Sequence, residues 1–188
     1  MVARSERYDL LARLLDYPEQ GGYPEAVSLL RPLYERVSRM SREETQELYT
    51  RTFDINAVCT LEVGWHIYGE DYARGALLVK MREQLRAMNV PESVELPDHL
   101  THMLRVLGRL GGTEADEMAS HYLLPGLIKM LAGMAEGEHP YQALIEAISC
   151  VIRSDHDVQA VTPREKRSDP PDWKNRLPVY GAKGCGRQ

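Results

Sequence analysis

Apolar residues recur every three to four positions along most of the chain, which is the period of an α-helix. No long segment alternates strictly between apolar and polar residues, as a half-buried strand would. The sequence therefore predicts an all-α fold. We expect a single helical domain over residues 1–156 with a proline-containing hinge at residues 90–97, followed by a tail over residues 157–188.

Helix start and stop signals divide the first half of the chain into helical segments. Ser41 and Glu44 have the spacing of a capping box, in which each side chain bonds the backbone N–H of the other residue. The residues from Asp54 to Asp71 show no sustained period and are predicted to be irregular or broken. We predict helices at Ser5–Asp16, from Pro24 to about Val37, at Ser41–Phe53 and at Tyr72–Asn89.

The second half opens with two prolines within eight residues, and this linker is the predicted hinge. We predict further helices at Asp98–Leu110, within Thr113–Glu136 and at Pro140–Ser154. Asp98 is the expected N-cap of the first of these helices, because a short polar side chain can accept from the unpaired N–H groups there. Ile128 is expected to point into the core, and Pro125 is expected to mark a break.

Composition favours a cytoplasmic protein. Hydrophobic residues make up 43% of the chain and charged residues 27%, which is the balance of a globular domain. The charged first residues are not expected to form a signal peptide, and no stretch approaches the roughly 18 apolar residues of a membrane span. Cys59, Cys150 and Cys185 are widely separated, so we expect reduced thiols and no membrane insertion.

Charge is distributed unevenly along the chain. Residues 161–188 carry seven basic and three acidic residues, so the net charge of −5 divides into +4 in this tail and −9 in residues 1–160. An acidic body repels nucleic acid and favours basic partners, so we expect no nucleic-acid binding. The prolines and charges of the tail predict disorder, and the tail is expected to be dispensable for folding.

The sequence lacks the common motifs of nucleotide binding and of nucleophilic catalysis. It contains neither a phosphate-binding glycine loop nor a nucleophile elbow, and no cofactor is expected. One alternative is a small helical metal-binding protein or metal-dependent enzyme, since two histidines three residues apart on a helix could face one ion. Its ligands would come from His66, Glu95, Asp98, His99 and His102. Capping and hydrogen bonding across the hinge explain the Asp-His pair more directly than a metal site does, with His102 exposed.

Aromatic residues concentrate in and beside the segment predicted to be irregular. They are Tyr49, Phe53, Trp65, Tyr68 and Tyr72. Core packing accounts for most of them, but Trp65 is predicted to lie outside the regular helices. A tryptophan in that setting can line a groove for an apolar helix, and nearby methionines would let the groove adapt to a peptide.

Two blocks of residues carry a resemblance to a known family. They are Phe53-Asp54, Leu61, His66, Gly69-Glu70, Arg74-Gly75 and Leu78, and then Glu95-Leu96-Pro97-Asp98-His99-Leu100. With this spacing the chain resembles the molybdoenzyme-specific assembly chaperones, within the branch that serves respiratory nitrate reductase. Leu96 separates Glu95 from Pro97, whereas the twin-arginine leader-binding relatives have proline directly after glutamate. The type of leader is therefore left open.

The resemblance implies an all-helical chaperone and not an enzyme. Such a protein binds the N-terminal leader of the catalytic subunit of a molybdenum-containing oxidoreductase while the molybdenum cofactor is inserted. It would act as a monomer or as a dimer that exchanges elements at the hinge. A structural helical subunit of a stable complex is a further alternative. By carry-over, the peptide-binding residues would be Phe53, Trp65, His66, Tyr68, Glu70, Pro97, Asp98 and His99.

Overall fold

The regular secondary structure is helical throughout the part of the chain that the computed structural model describes, which is residues 3–16, 35, 37–134, 139–156 and 158. Pairing of the strand type is limited, in these residues, to one isolated antiparallel bridge between Glu62 and His99. The prediction of an all-α fold is confirmed. The helices are α1 (Arg4–Arg13), α2 (Arg42–Tyr49), α3 (Val63–Tyr68), α4 (Tyr72–Ala87), α5 (Leu100–Leu107), α6 (Gly112–Met118), α7 (Leu124–Met134) and α8 (Gln142–Asp155).

Local capping explains where two of these helices start. The Ser41 hydroxyl accepts from the Glu44 N–H at 3.1 Å, and the Glu44 carboxylate accepts from the Ser41 N–H at 2.7 Å, so the predicted capping box begins α2. The Asp71 carboxylate accepts from the Ala73 N–H at 2.8 Å and begins α4. Both helices thus have their first backbone donors satisfied by side chains.

The structure differs from the sequence prediction in the middle of the chain and around Pro125. Helix α3 lies inside the segment that was predicted to be irregular. The helical backbone continues from Gly112 to Met134 through a π-helical turn at Ala119–Leu123, so Pro125 does not break it. Pro125 is the second residue of α7. A proline has no backbone N–H to donate. The π-helical turn before it changes the hydrogen-bond pattern, so that one position can do without an N–H donor and the proline is accommodated. Ile128 is 53% exposed and does not point into the core.

Helix α5 runs through the centre of the core. Its inward residues include four that are fully buried, namely Leu100, Met103, Leu104 and Leu107. Helix α1 packs along α5, and Gly108 permits the close approach because a Cβ there would lie 2.8 Å from the Tyr8 Cβ. Two ion pairs join the same region, Arg105 with Asp16 at 2.7 Å and Arg109 with Asp9 at 2.6 Å.

Two predicted elements lie wholly or mainly outside the described residues. They are the helix from Pro24 and the C-terminal tail. In the part of the chain that is described, no helix combines the length and the apolar character needed to cross a membrane. The domain limits stay a prediction.

Candidate functional site

Two segments that are distant in the sequence lie side by side through their backbones. The Val63 N–H donates to the Asp98 carbonyl at 3.0 Å, and the Leu100 N–H donates to the Leu61 carbonyl at 2.8 Å. This antiparallel contact, centred on Glu62 and His99, is called the two-segment bridge below. It joins the residues that precede α3 to those that precede α5, and it brings the two blocks of the family resemblance together.

A buried ion pair fixes the bridge to α4. The Asp98 side chain is fully buried, and its Oδ2 accepts from the Arg74 Nε at 2.9 Å. The Arg74 guanidinium also lies over the Trp65 ring, 5.7 Å from its centroid. Gly64 makes room for the carboxylate, since a Cβ at Gly64 would lie 2.4 Å from the same Oδ2. The carboxylate thus connects α3, α4 and the start of α5.

The predicted capping role of Asp98 was wrong, because the N-cap of α5 is His99. The His99 Nδ1 accepts from the Thr101 N–H at 3.4 Å and lies within hydrogen-bonding distance, 2.8 Å, of the Thr101 hydroxyl. Asp98 instead forms an ion pair with Arg74. Removing one partner of a buried ion pair costs about 3–5 kcal/mol, against about 1 kcal/mol for a lost cap, so Asp98 contributes more to stability than its sequence position indicated.

The imidazole of His99 is buried and neutral. Only 5% of the residue is exposed. Burial, followed by the charges of His102 and Arg105, lowers the pKa of His99 to about 3.

His102 ties the predicted hinge to α5 and is fully buried, contrary to the expectation that it is exposed. Its Nε2 accepts from the Ser93 N–H at 3.1 Å, and its Nδ1 donates to the Leu96 carbonyl at 2.9 Å. A second attachment is the ion pair between Arg82 and Glu92 at 2.8 Å. Movement at residues 90–97 stays a prediction, and any such movement has to break these contacts.

An acidic cavity of about 220 Å³ lies beside the two-segment bridge. It is lined by Phe53, Asp54, Thr60, Leu61, Glu62, Glu95 and His99. Its three carboxylates come from different segments, namely the end of the π-helical turn Thr50–Asp54, the residue before α3, and the linker. Partial burial, followed by repulsion from Asp54 and Glu62, raises the pKa of Glu95. The cavity therefore concentrates negative charge next to a neutral imidazole.

Exposed apolar side chains flank two of the three carboxylates. Ile55 follows Asp54 and is 75% exposed, while Val94 and Leu96 enclose Glu95 and are 99% and 43% exposed. The sequence analysis did not select these residues. The sequence does show apolar residues next to acidic ones in non-helical segments. This pattern indicates a binding surface only when the two segments are known to lie side by side in the folded chain.

The predicted peptide-binding residues divide into those that line the cavity and those that support it. Phe53 and His99 line it. His66 lies behind the wall, because its Nε2 donates to the Thr60 carbonyl at 2.6 Å, and burial lowers its pKa. Pro97 is buried immediately before Asp98, which is held in the ion pair with Arg74.

The remaining predicted site residues lie on or just after α3. Trp65 is therefore inside a helix and not in irregular chain, and its indole N–H donates to the Ala57 carbonyl at 3.2 Å. Tyr68 is half-buried against the core, whereas Glu70 is exposed. Neither Trp65, Tyr68 nor Glu70 lines the acidic cavity.

The alternative metal site is not assembled in the described part of the chain. No group of three or more histidine, cysteine, aspartate or glutamate side chains there could hold a metal ion. His102 uses both ring nitrogens in hydrogen bonds, and the Asp98 Oδ2 is paired with Arg74. A metal ion would have to displace these contacts before it could bind.

Comparison with protein families matches residues 19–149 to the family described as the nitrate reductase delta subunit. The matched range covers more than half of the chain, and it contains both segments of the bridge and all the residues that line the cavity. A comparison with curated proteins gives no match.

Proposed function

Since this chain belongs to the nitrate reductase delta subunit family, a family of molybdoenzyme assembly chaperones, we propose that it binds the N-terminal leader of a molybdenum-containing catalytic subunit. In this proposal the protein acts in the cytoplasm, is not an enzyme, and keeps the client subunit open while the molybdenum cofactor is inserted. The client is the catalytic subunit of an oxidoreductase, and the chaperone is released when assembly is complete.

The observation that carries the proposal is an acidic cavity, two of whose carboxylates have exposed apolar residues as their neighbours in the chain. A leader that folds as a basic amphipathic helix presents positive charge on one face and apolar side chains on the other. The carboxylates of Asp54, Glu62 and Glu95 complement the first face. The exposed Val94 and Leu96 complement the second, because binding would remove their apolar surface from water.

The proposed peptide-binding set keeps the residues named from the resemblance but gives them different tasks. His99 and Phe53 contact the leader at the cavity. Asp98, Pro97 and His66 hold the walls in place. Trp65, Tyr68 and Glu70 form the α3 end of the surface, where the half-buried indole offers an apolar edge.

The test is titration calorimetry with a synthetic leader peptide of the client. Replacing Val94 and Leu96 together by serine should weaken binding by about 1–2 kcal/mol, or roughly tenfold, since both are exposed apolar side chains next to Glu95. The matched control is Val79→Ser on α4, which removes a side chain that is 60% exposed and lies away from the cavity lining. The control should bind like the wild type.

Two results would oppose the proposal. Wild-type affinity in the Val94→Ser, Leu96→Ser double variant together with weaker binding by Val79→Ser would move the site to the outer face of α4. Absence of binding by every form, combined with no molybdoenzyme subunit captured from cells grown by anaerobic respiration, would contradict the chaperone function itself.

A further inference from the structure

The linker between α4 and α5 has a fixed backbone although its side chains face solvent. Residues 91–96 are all exposed. Even so, the Ser93 N–H donates to the His102 Nε2 at 3.1 Å, and the Leu96 carbonyl accepts from the His102 Nδ1 at 2.9 Å. Ser93–Leu96 is called the clamped segment below. One side chain of the core thus holds both ends of an exposed stretch of four residues.

The two backbone partners of His102 determine which ring nitrogen carries the proton. A backbone N–H can only donate, so the Nε2 that accepts from Ser93 has no proton. A backbone carbonyl can only accept, so the Nδ1 that faces Leu96 carries the proton and donates it. The side chain is fully buried and uses both nitrogens. His102 is therefore a neutral clamp with one acceptor and one donor.

The clamp extends to Glu95 through the hydroxyl of Ser93. This hydroxyl lies 3.1 Å from the unprotonated His102 Nε2, so it donates to that nitrogen. Its oxygen also accepts from the Glu95 N–H at 3.2 Å. A chain of hydrogen bonds therefore runs from the buried imidazole to the backbone of Glu95, whose residue lines the acidic cavity.

The position of Glu95 needs such support. Partial burial, followed by repulsion from Asp54 and Glu62, raises the pKa of Glu95, which means that its surroundings disfavour the charged form. A carboxylate on an unrestrained backbone would relieve this cost by turning towards solvent. A segment that is already ordered also loses less conformational entropy when a ligand binds to it. Fixing the clamped segment in advance therefore favours binding at the cavity.

We propose that His102 is a positioning residue of the leader site, which keeps Glu95 at the cavity and Val94 exposed by clamping Ser93 and Leu96. Because His102 is fully buried, it acts on the leader only through the clamped segment. This inference rests on the proposed function. It adds a determinant of leader affinity that lies outside the set of peptide-binding residues named above.

The first test is titration calorimetry with a synthetic leader peptide. His102→Leu removes both hydrogen bonds and should weaken binding about tenfold, because the leader must then order the segment itself. His102→Gln should stay within about threefold of the wild type, since an amide also offers one acceptor and one donor. The control is His156→Leu, which removes a buried histidine that bonds Asp116 and does not line the cavity. This control should bind like the wild type even where it is less stable.

A double-mutant cycle shows whether the effect passes through Glu95. Glu95→Gln removes the charge that the clamp positions. In this background His102→Leu should weaken binding by about threefold or less, because residues that act through one another are not additive. A general loss of stability would instead give the same factor of about ten in both backgrounds.

Ser93→Ala interrupts the clamp without altering the core. It keeps the backbone N–H that donates to His102 but removes the oxygen that accepts from the Glu95 N–H. Leader affinity should fall about threefold, the usual effect of one lost hydrogen bond. Ser38→Ala is the control, since Ser38 is an exposed serine whose hydroxyl donates to the Glu35 carbonyl and which does not line the cavity.

Nuclear magnetic resonance of the protein without peptide tests the clamp directly. The ring nitrogens of His102 should show the Nδ1–H tautomer. The amide hydrogens of Ser93 and Glu95 should exchange slowly for such an exposed segment, because both are hydrogen-bonded. His102→Leu should speed their exchange by about tenfold or more, while His156→Leu should leave it unchanged.

Wild-type leader affinity in both His102→Leu and Ser93→Ala would overturn the inference. A proton on the His102 Nε2, or an equal loss in both backgrounds of the cycle, would also overturn it. Failure of the wild-type protein to bind the leader would instead oppose the proposed function, and the ring tautomer and the amide exchange would still decide whether the clamp exists.

Discussion

His99 shows how one residue can serve the fold and the surface at once. One ring nitrogen caps α5 through Thr101, and the same residue lines the acidic cavity. The sequence indicated the importance of His99 through its place next to Asp98 in the second block. It could not show which of the two residues caps the helix, because that depends on Arg74, which lies 24 residues earlier and reaches Asp98 only in the folded chain.

Acid should destabilise the protein in part through His99. Its pKa is about 3 in the folded chain and about 6.5 in an unfolded one, so the unfolded chain binds an additional proton between these values. This contribution to the free energy of unfolding is complete above about pH 6.5 and is lost as the pH falls towards 3. His99→Asn keeps a residue suited to capping and removes the titrating group. Its free energy of unfolding in urea should change less than that of the wild type between pH 7 and pH 4.5.

The control for this measurement is His121→Asn, which replaces an exposed histidine in the same way. The wild type and this control should lose stability in parallel. An identical pH slope in His99→Asn would show that the imidazole is already accessible to protons in the folded protein.

At the scale of elements, the longer helices followed from the sequence and the short one did not. The spacing of apolar residues and the capping residues predicted α2 and α4. Helix α3 has six residues and no side-chain cap, so local preference alone would not form it. Its position depends on close packing, since a Cβ at Gly126 of α7 would lie 2.8 Å from the Val63 side chain. Contacts of this kind have no signature within a short window of sequence.

Two glycine substitutions separate packing from helix propensity. Gly64→Ala in α3 places a Cβ 2.4 Å from the Asp98 carboxylate and should lower the free energy of unfolding by about 1–3 kcal/mol. Gly75→Ala in α4 meets nothing within 4 Å and should raise it by about 0.5–1 kcal/mol, because alanine is the better helix former. Urea unfolding of the two variants gives the comparison. Similar changes in both would mean that Gly64 does not pack against Asp98.

Across the whole molecule, the first and last described helices are joined. The Arg7 guanidinium pairs with Asp155 at 2.9 Å, and the ring of Tyr8 lies 6.2 Å from that of His156. Burial, followed by the charge of Asp155, raises the pKa of Tyr8. The sequence predicted α1 and α8 separately, but it gave no sign of their contact because no local rule connects residues so far apart in the chain.

This arrangement sets the length of chain needed for folding. A chain that ends at Ala160 keeps α8 and its contact with α1, so its free energy of unfolding should stay within about 0.5 kcal/mol of the full-length value. A chain that ends at Ser149 loses Asp155 and the fully buried Ile152, and it should lose several kcal/mol. Urea denaturation of both provides the test. A large loss already at Ala160 would mean that the tail is docked on the helical domain.

The two-segment bridge has a consequence for how such a protein can diverge. Its hydrogen bonds join backbone atoms of Leu61, Val63, Asp98 and Leu100, so they do not depend on the side chains of Glu62 or Glu95. Mutations at those two positions can therefore accumulate while the segments stay joined. A duplicated copy of this chain could acquire a new client by changing the charges of the cavity, because the backbone that frames the cavity would persist through each intermediate sequence.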